Sequence, residues 1–153
     1  QDGTVPFYYE PLKETNGVVV QVQPEYYGML LFAQAGAGSM VSTTVTSSAE
    51  HFTAWAIKGS TATSVVLNNR DASSGVTATV NLGTPVSSAG AIYLEATPTG
   101  SLTAASGSVT LAGAQVSVTG DWPRNAPYPQ AVSGNSVSVF VPAASAALVS
   151  VMQ

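Results

Sequence analysis

The chain has 153 residues, enough for one domain with a hydrophobic core, and only 8% of them are charged. With a net charge of −4 and four basic residues, the chain offers no basic surface that could bind phosphates, so nucleic acid is excluded as a partner. Cysteine is absent and no apolar run approaches about 18 residues, so we expect no disulfide, no thiolate chemistry and no membrane span or membrane partner.

The first predicted element is an apolar helix within PEYYGMLLFAQAGAG, residues 24–38. Pro24 suits the first helical turn, Glu25 favours the positive end of the helix dipole, and Gly36 can adopt the left-handed conformation that ends a helix. Apolar side chains surround most of the circumference, whereas a surface helix has one apolar stripe. The pattern therefore predicts a helix that is covered on more than one side.

Residues 39–153 predict an antiparallel β-sandwich of about eight or nine strands, because Val, Thr and Ser alternate between turns of Gly, Asn and Pro. The predicted strands are 39–46, 51–59, 63–69, 75–83, 90–97, 108–113, 114–120, 135–141 and 147–153. Apolar groups on both faces of 51–59 indicate a central strand. The clearest predicted turn is LNNRDASSG, residues 67–75.

No pattern in residues 39–153 indicates an active site. Paired carboxylates would be needed for glycoside hydrolysis, and Glu95, inside a predicted strand, is the one acidic residue that its surroundings could desolvate. His51 is the only histidine, which is too few for a metal site or a catalytic triad. The sequence therefore predicts no metal and no cofactor.

The aromatic residues have two predicted roles. Trp55 and Tyr93 lie inside predicted strands and are expected in the core. Trp122 and Tyr128 lie in the Pro-rich segment GDWPRNAPYPQ, residues 120–130, with Arg124 between them. That segment could be the rim of a ligand site or an interface to another domain, and the interface is favoured.

The helix motif, read with VLNNRD (66–71) and SAALVSVMQ (145–153), resembles the C-terminal part of glycoside hydrolase family 79. This family holds β-glucuronidases and heparanase-like enzymes. The resemblance covers essentially the whole chain, and the helix motif is its most specific part. It implies a secreted or periplasmic retaining enzyme in which a (β/α)8 barrel carries two catalytic glutamates and a β-sandwich packs against the barrel.

The resemblance also implies a division of the chain and its partners. Residues 1–38 would be the end of the barrel (its strand-eight loop and last helix), and residues 39–153 the C-terminal β-sandwich domain. The catalytic glutamates would lie in the rest of the barrel, so this chain would carry no catalytic residue, would bind that barrel non-covalently and would be inactive alone. The substrate would be a glucuronide or a heparan-sulfate-type glycan. In VPFYYEPL (5–12), Tyr9, or failing it Tyr8, is implied to contact the sugar carboxylate.

An alternative from another class is a stand-alone carbohydrate-binding or adhesion β-sandwich without enzyme activity. It would predict a stable monomer in which the segment that carries Trp122 and Tyr128 binds glycan. The apolar helix argues against it, because an isolated domain would expose an apolar patch that invites aggregation.

Overall fold

The computed structural model describes residues 10–46 and 51–153, which form twelve strands and one helix. The elements are β1 (Leu12–Thr15), β2 (Val18–Val22), α1 (Pro24–Gln34), β3 (Ser39–Val41), β4 (Phe52–Lys58), β5 (Ala62–Asn69), β6 (Val76–Asn81), β7 (Ser88–Ala96), β8 (Val109–Leu111), β9 (Tyr128–Pro129), β10 (Ala131–Ser133), β11 (Ser136–Val141) and β12 (Ser145–Met152). The predicted mainly β class is confirmed. The helix of these two ranges is too short to cross a membrane.

Two sheets and the helix form three layers. The larger sheet has the strand order β3-β4-β5-β12-β7-β8, with β9 also paired to β7, and the smaller sheet has the order β10-β11-β6. The smaller sheet covers one face of the larger sheet, and α1 packs on the opposite face. The strand pairs are antiparallel. The predicted antiparallel sandwich is therefore confirmed, with the helix as a third layer.

The middle strand β12 shows why the sequence builds two cores. Successive side chains of a strand point to opposite faces, so a strand covered on both faces needs an almost unbroken apolar run. Leu148 joins the core beneath the helix, whereas Val149 and Val151 join the core between the two sheets. β12 lies between β5 and β7 and is paired along its length with both. β4, predicted as a central strand, likewise has a neighbour on each side.

The helix ends are those that the sequence predicts. Pro24 and Glu25 stand in the first turn, and Gly36 follows the last turn with a left-handed φ of 82°. The surroundings of the helix differ from the prediction. Tyr27 and Leu31 are the buried residues of α1, and the outward face stays exposed. Among the described residues, the helix is therefore covered on one side, where the sequence predicts cover on more.

Two local predictions are wrong. Residues 114–120 form no strand, because the left-handed residues Ala112 and Gly113 turn the chain directly after β8 and leave a single bridge between Leu111 and Ala114. The β1–β2 hairpin lies in the segment that the resemblance assigns to the strand-eight loop, and that assignment stays a prediction. The core position expected for Trp55 is wrong as well, since 42% of this residue is exposed.

The predicted turn at residues 67–75 is confirmed, and hydrogen bonds of the Asn69 side chain stabilise it. The side-chain amide of Asn69 donates to the carbonyl oxygens of Ser74 (2.8 Å) and Pro142 (2.9 Å). Its Oδ1 accepts the Asp71 N–H at 3.1 Å. One side chain therefore joins the β5–β6 turn to the β11–β12 turn.

Candidate functional site

Tyr8 and Tyr9, the two residues implied to contact substrate, lie outside the described residues, so their role stays a prediction. Two residues further along, the carbonyl oxygen of Pro11 accepts the Gln23 N–H at 2.9 Å. Pro11 therefore lies beside the residue that precedes the helix. That position places the start of the β1–β2 hairpin next to α1.

Asp71 and Asp121 accept hydrogen bonds within their own turns. Asp71 accepts hydrogen bonds from the Ser73 hydroxyl (2.7 Å) and the Ser73 N–H (2.8 Å), and these bonds lower the pKa of the Asp71 carboxyl. Asp121 accepts a hydrogen bond from the Thr119 hydroxyl at 2.7 Å within its own turn. Within residues 10–46 and 51–153, no group of three or more His, Cys, Asp and Glu side chains could hold a metal ion.

Glu95 is the acidic residue that the fold desolvates. It is half-buried in β7, two residues beyond Tyr93, and this burial raises the pKa of its carboxyl. A carboxyl whose pKa is higher in the folded chain destabilises the fold at any pH above its unfolded pKa, and this cost disappears as the pH falls below that value. Burial causes this shift, so among the described residues Glu95 is not paired with a second carboxyl as an acid–base pair for glycoside hydrolysis would be.

The Glu95→Gln variant is therefore expected to unfold at a higher temperature than the unchanged chain near neutral pH. Near pH 3, where both forms are uncharged, about the same unfolding temperature is expected. Thermal unfolding followed by circular dichroism at the two pH values measures the difference. The control is Glu25→Gln on the exposed helix start, which should not stabilise the chain. A Glu95→Gln variant that is less stable near neutral pH would show that the ionised carboxyl is favourably bonded.

Tyr27 attaches the helix to the sheet. Its side chain is 2% exposed, and its Oη accepts the Val116 N–H at 3.0 Å. Leu31, one turn further on, is buried in the same core. The Tyr27 hydroxyl thus satisfies a backbone donor in the irregular segment that follows β8, so one side chain positions both the helix and that segment.

The outward face of the helix is apolar. Met29 is 59% exposed and Phe32 is 52% exposed, and they lie three residues apart on one side of α1. Open space surrounds Gly28, where an added Cβ would meet no atom within 4 Å. Glu25 in the first turn is the charged side chain of this face, and the other exposed positions of α1, which are Gly28, Met29, Phe32 and Ala33, have no polar side chain.

Two exposed apolar residues of the strands lie on the same side of the larger sheet as the helix. Met40 lies directly opposite Ile57 in the β3–β4 pair, and Trp55 precedes Ile57 by two residues, so all three point to the side of the sheet that carries the helix. Met40 and Trp55 are exposed, whereas Ile57 is buried in the core that contains Tyr27 and Leu31. We call the exposed set Met29, Phe32, Met40 and Trp55 the helix-side surface. The sequence reading missed its strand residues, because alternation does not tell which part of a sheet face a short helix covers.

The segment that carries Trp122 and Arg124 contacts the C-terminal end of the helix. The Trp122 indole N–H donates to the Leu111 carbonyl oxygen at 3.0 Å, and the Arg124 guanidinium lies 5.3 Å from the centre of the Trp122 ring. Arg124 also donates to the Gln34 side-chain oxygen at 3.1 Å. Arg124 therefore links this segment to the last turn of α1.

Trp122 and Tyr128 do not form a common platform for a sugar. Trp122 packs against the core beneath the helix. Tyr128 pairs with Ala91 in the β9–β7 ladder, and its ring lies 6.1 Å from the ring of Tyr93, which packs against the core between the sheets. The larger sheet separates the two aromatic side chains. The glycan-binding site of the alternative interpretation is thus not assembled from this pair.

Comparisons with known proteins identify the fold. No protein-family model matches the sequence, and no curated protein matches it. Solved structures do match. A 4-O-α-L-rhamnosyl-β-D-glucuronidase from Fusarium oxysporum is 21% identical, with a TM-score of 0.64 over 84% of this chain and 30% of that chain. The catalytic domain of xylanase C from Talaromyces cellulolyticus, of glycoside hydrolase family 30, is 15% identical, with a TM-score of 0.60 over 94% and 27%.

A family 30 endoxylanase from Clostridium papyrosolvens is 18% identical, with a TM-score of 0.58 over 86% of this chain and 28% of that chain. This is a fold found in glycoside hydrolases. At such identities the likeness concerns the fold, and it does not single out family 79. The chain spans less than a third of the length of each of these three enzymes.

Proposed function

We propose that this chain is the β-sandwich part of a retaining glycoside hydrolase and that its helix-side surface docks on the catalytic part of the same enzyme. The observation that carries the proposal is the outward face of α1, where Met29 and Phe32 are exposed although Tyr27 and Leu31 already fix the helix to the sheet. An apolar face of this kind favours a further protein surface against it.

The helix-side surface has the chemistry of an interface. Aromatic residues and Met are enriched in the buried centres of protein interfaces, and this surface holds two of each. Association would be non-covalent, because the chain has no cysteine. The structural neighbours support the catalytic part of a hydrolase as the partner, since each is an enzyme of which this fold matches 27–30% of the chain.

The finer proposal is the reaction. The whole enzyme would hydrolyse β-linked glucuronic acid in a glucuronide or a heparan-sulfate-type glycan with net retention, using a glutamate nucleophile and a glutamate acid/base that both lie outside this chain. The resemblance of the helix and strand motifs to family 79 supports this reaction. So does the presence of a β-D-glucuronidase among the structural neighbours.

The same resemblance supplies the remaining parts of the proposal. Residues 1–38 would complete the catalytic barrel, residues 39–153 would form the sandwich beside it, and Tyr9, or failing it Tyr8, would contact the sugar carboxylate. A tyrosine hydroxyl can donate a hydrogen bond to a carboxylate. The enzyme would act outside the cytoplasm, secreted or in the periplasm.

The test is to produce this chain and the remainder of its gene product separately, mix them and measure the native mass. We expect one species whose mass is the sum of the two parts. The double variant Met29→Ser/Phe32→Ser should weaken the association at least about tenfold, because truncating an aromatic interface anchor typically costs about 2 kcal/mol. Its unfolding temperature should change little, because both side chains are exposed.

The matched control is Phe140→Ser, since Phe140 is an exposed aromatic side chain on β11 of the smaller sheet. Docking through the helix-side surface is wrong if the two parts stay separate, or if Phe140→Ser weakens their association as strongly as the double variant. The reaction is tested on the assembled enzyme with 4-nitrophenyl β-glucuronide. Turnover of the corresponding β-xyloside in its place would contradict only the substrate.

A further inference from the structure

The larger sheet has a margin beyond β7 that carries polar and aromatic side chains. β8 and β9 both pair with β7, β8 at residues 94–96 and β9 at residues 90–91. β10 is the outer strand of the smaller sheet on this side, and it contacts β7. The side chains that the margin turns to the side of the smaller sheet are at least partly exposed from Tyr93 onwards.

The strand register brings four of these side chains onto one face. Residues directly opposite each other in an antiparallel pair share a face, as do residues two apart along a strand. Tyr128 lies opposite Ala91, which is buried in the core between the sheets, so Tyr128 points to that side. Tyr93 and Glu95 follow Ala91 by two and four residues. Gln130 follows Tyr128 by two. We call Tyr93, Glu95, Tyr128 and Gln130 the β9-side cluster.

The members of the β9-side cluster interact with one another. The rings of Tyr93 and Tyr128 lie 6.1 Å apart and are inclined by 53°. Burial raises the pKa of the Tyr93 hydroxyl and the nearby Glu95 carboxyl raises it further, whereas a hydrogen bond with the Gln130 side chain lowers it. The Gln130 amide also donates to the Tyr128 carbonyl oxygen at 2.9 Å. Two aromatic rings, a carboxyl and an amide therefore lie side by side.

The ring of Tyr128 is both exposed and fixed in position. It is 50% exposed, and it stands between Pro127 and Pro129, whose own rings restrict the backbone. Gly90 allows this segment to pack closely on β7, because an added Cβ would lie 3.1 Å from the Pro127 Cβ. The exposed ring therefore keeps its place without a ligand, which lowers the entropy cost of binding one.

This combination of groups suits a sugar. The C–H groups of a pyranose ring form an apolar surface that can pack on the electron-rich face of Tyr128. Sugar hydroxyls both donate and accept, so they can bond to the Glu95 carboxyl and the Gln130 amide. In the described ranges, no basic side chain shifts the pKa of Glu95 or of Tyr93. The charge of Glu95 therefore favours a neutral sugar over a uronate.

We propose that the β9-side cluster is a non-catalytic binding site for a neutral segment of a glycan, with one pyranose ring stacked on Tyr128 and its hydroxyls bonded to Glu95 and Gln130. The inference rests on the proposed function for the source of the glycan, which would be the substrate of the catalytic part. The site differs from that of the alternative interpretation, because Trp122 takes no part in it. It lies on the side of the larger sheet opposite the helix-side surface, so the proposed docking leaves it open.

The test is a titration of the whole gene product with cellohexaose, a neutral β-linked hexamer, followed by NMR. The N–H shifts of Tyr93, Glu95 and Gln130 should change until they saturate. Tyr128→Ala should weaken this binding at least about fivefold, because it removes the stacking surface. The control is Phe140→Ala, an exposed aromatic side chain on β11, which should bind like the unchanged protein. Unmoved shifts, or equal affinity after Tyr128→Ala, would overturn the proposal.

A matched anionic probe tests the predicted preference for a neutral sugar. It is a hexamer of β-1,4-linked glucuronic acid, which has the backbone of cellohexaose and a carboxylate on each unit. It should bind at the cluster at least about fivefold more weakly than cellohexaose, because its charges repel Glu95. Glu95→Gln keeps the size of the side chain and should reduce this preference at least about threefold. Equal binding of both probes by the unchanged protein would overturn the assignment of a neutral ligand.

The outcomes distinguish this site from the proposed function. An assembled enzyme that hydrolyses 4-nitrophenyl β-glucuronide while the shifts of Tyr93, Glu95 and Gln130 stay unmoved contradicts only the binding site. Saturable binding of cellohexaose at the cluster, without turnover of the glucuronide, supports the site and contradicts only the proposed reaction.

Discussion

Replacing Tyr27 with alanine is expected to lower the free energy of unfolding by about 3–5 kcal/mol, the usual cost of deleting a large buried aromatic side chain. Tyr27 is almost completely buried between the helix and the larger sheet. Without its ring, the helix would keep Leu31 as its main buried side chain. The variant should therefore loosen α1 and, with it, the outward face that carries Met29 and Phe32.

A conservative variant separates the ring of Tyr27 from its hydroxyl. Tyr27→Phe keeps the packing but leaves the buried Val116 N–H without its acceptor, which should cost about 1–3 kcal/mol. Urea unfolding followed by circular dichroism measures both variants. Phe32→Ala on the outward face of the same helix is the control and should change stability by less than about 0.5 kcal/mol. Equal losses for Tyr27→Ala and Phe32→Ala would contradict the assigned inward and outward faces.

Replacing Asn69 with alanine is expected to cost about 2–3 kcal/mol, because each buried polar partner left unsatisfied costs about 1–3 kcal/mol. Asn69 is 1% exposed, and its side chain bonds to both the β5–β6 turn and the β11–β12 turn. Its loss would also leave a cavity between the β5–β6 turn and the β11–β12 turn, each of which connects the two sheets.

Urea unfolding again provides the measurement for Asn69→Ala. The control is Asn81→Ala, since the exposed Asn81 side chain accepts a local hydrogen bond from the Gly83 N–H at 3.0 Å. This control should cost less than about 1 kcal/mol. If the two variants are equally stable, the hydrogen bonds of Asn69 do not hold the two turns together.

The sequence predicts the strands well where both faces of a strand are buried. β5 and β12 read as apolar runs between turns, and the structure places them side by side in the middle of the larger sheet. The helix ends follow from Pro24, Glu25 and Gly36. These features depend on neighbouring residues, so local patterns are sufficient to predict them.

The hairpin of β1 and β2 has a local signal in the sequence. Asn16 and Gly17 both have left-handed φ values, 53° and 76°, and Asn-Gly is the preferred pair for a two-residue hairpin turn. The strand predicted at residues 114–120 is wrong for a non-local reason. There the backbone N–H of Val116 bonds to the distant Tyr27 hydroxyl instead of a strand, and alternation along the chain contains no information about that contact.

The helix-side surface could not be predicted from the sequence for a related reason. Alternation tells which side chains share a face of a strand, but the area that a neighbouring layer covers depends on the size of that layer. Trp55 and Ile57 share a face of β4, yet Ile57 is buried in the core that contains Tyr27 and Leu31 and Trp55 is exposed.

The place of β12 in the larger sheet determines when the domain can fold during synthesis. The ribosome makes β5 and β7 well before β12, yet in the finished sheet each of them pairs with β12 and not with the other. Until residues 145–152 have left the exit tunnel, the two halves of this sheet have no strand to join them. We therefore expect the sheet to assemble late and in one step, after a period in which nascent strands depend on chaperones for protection from aggregation.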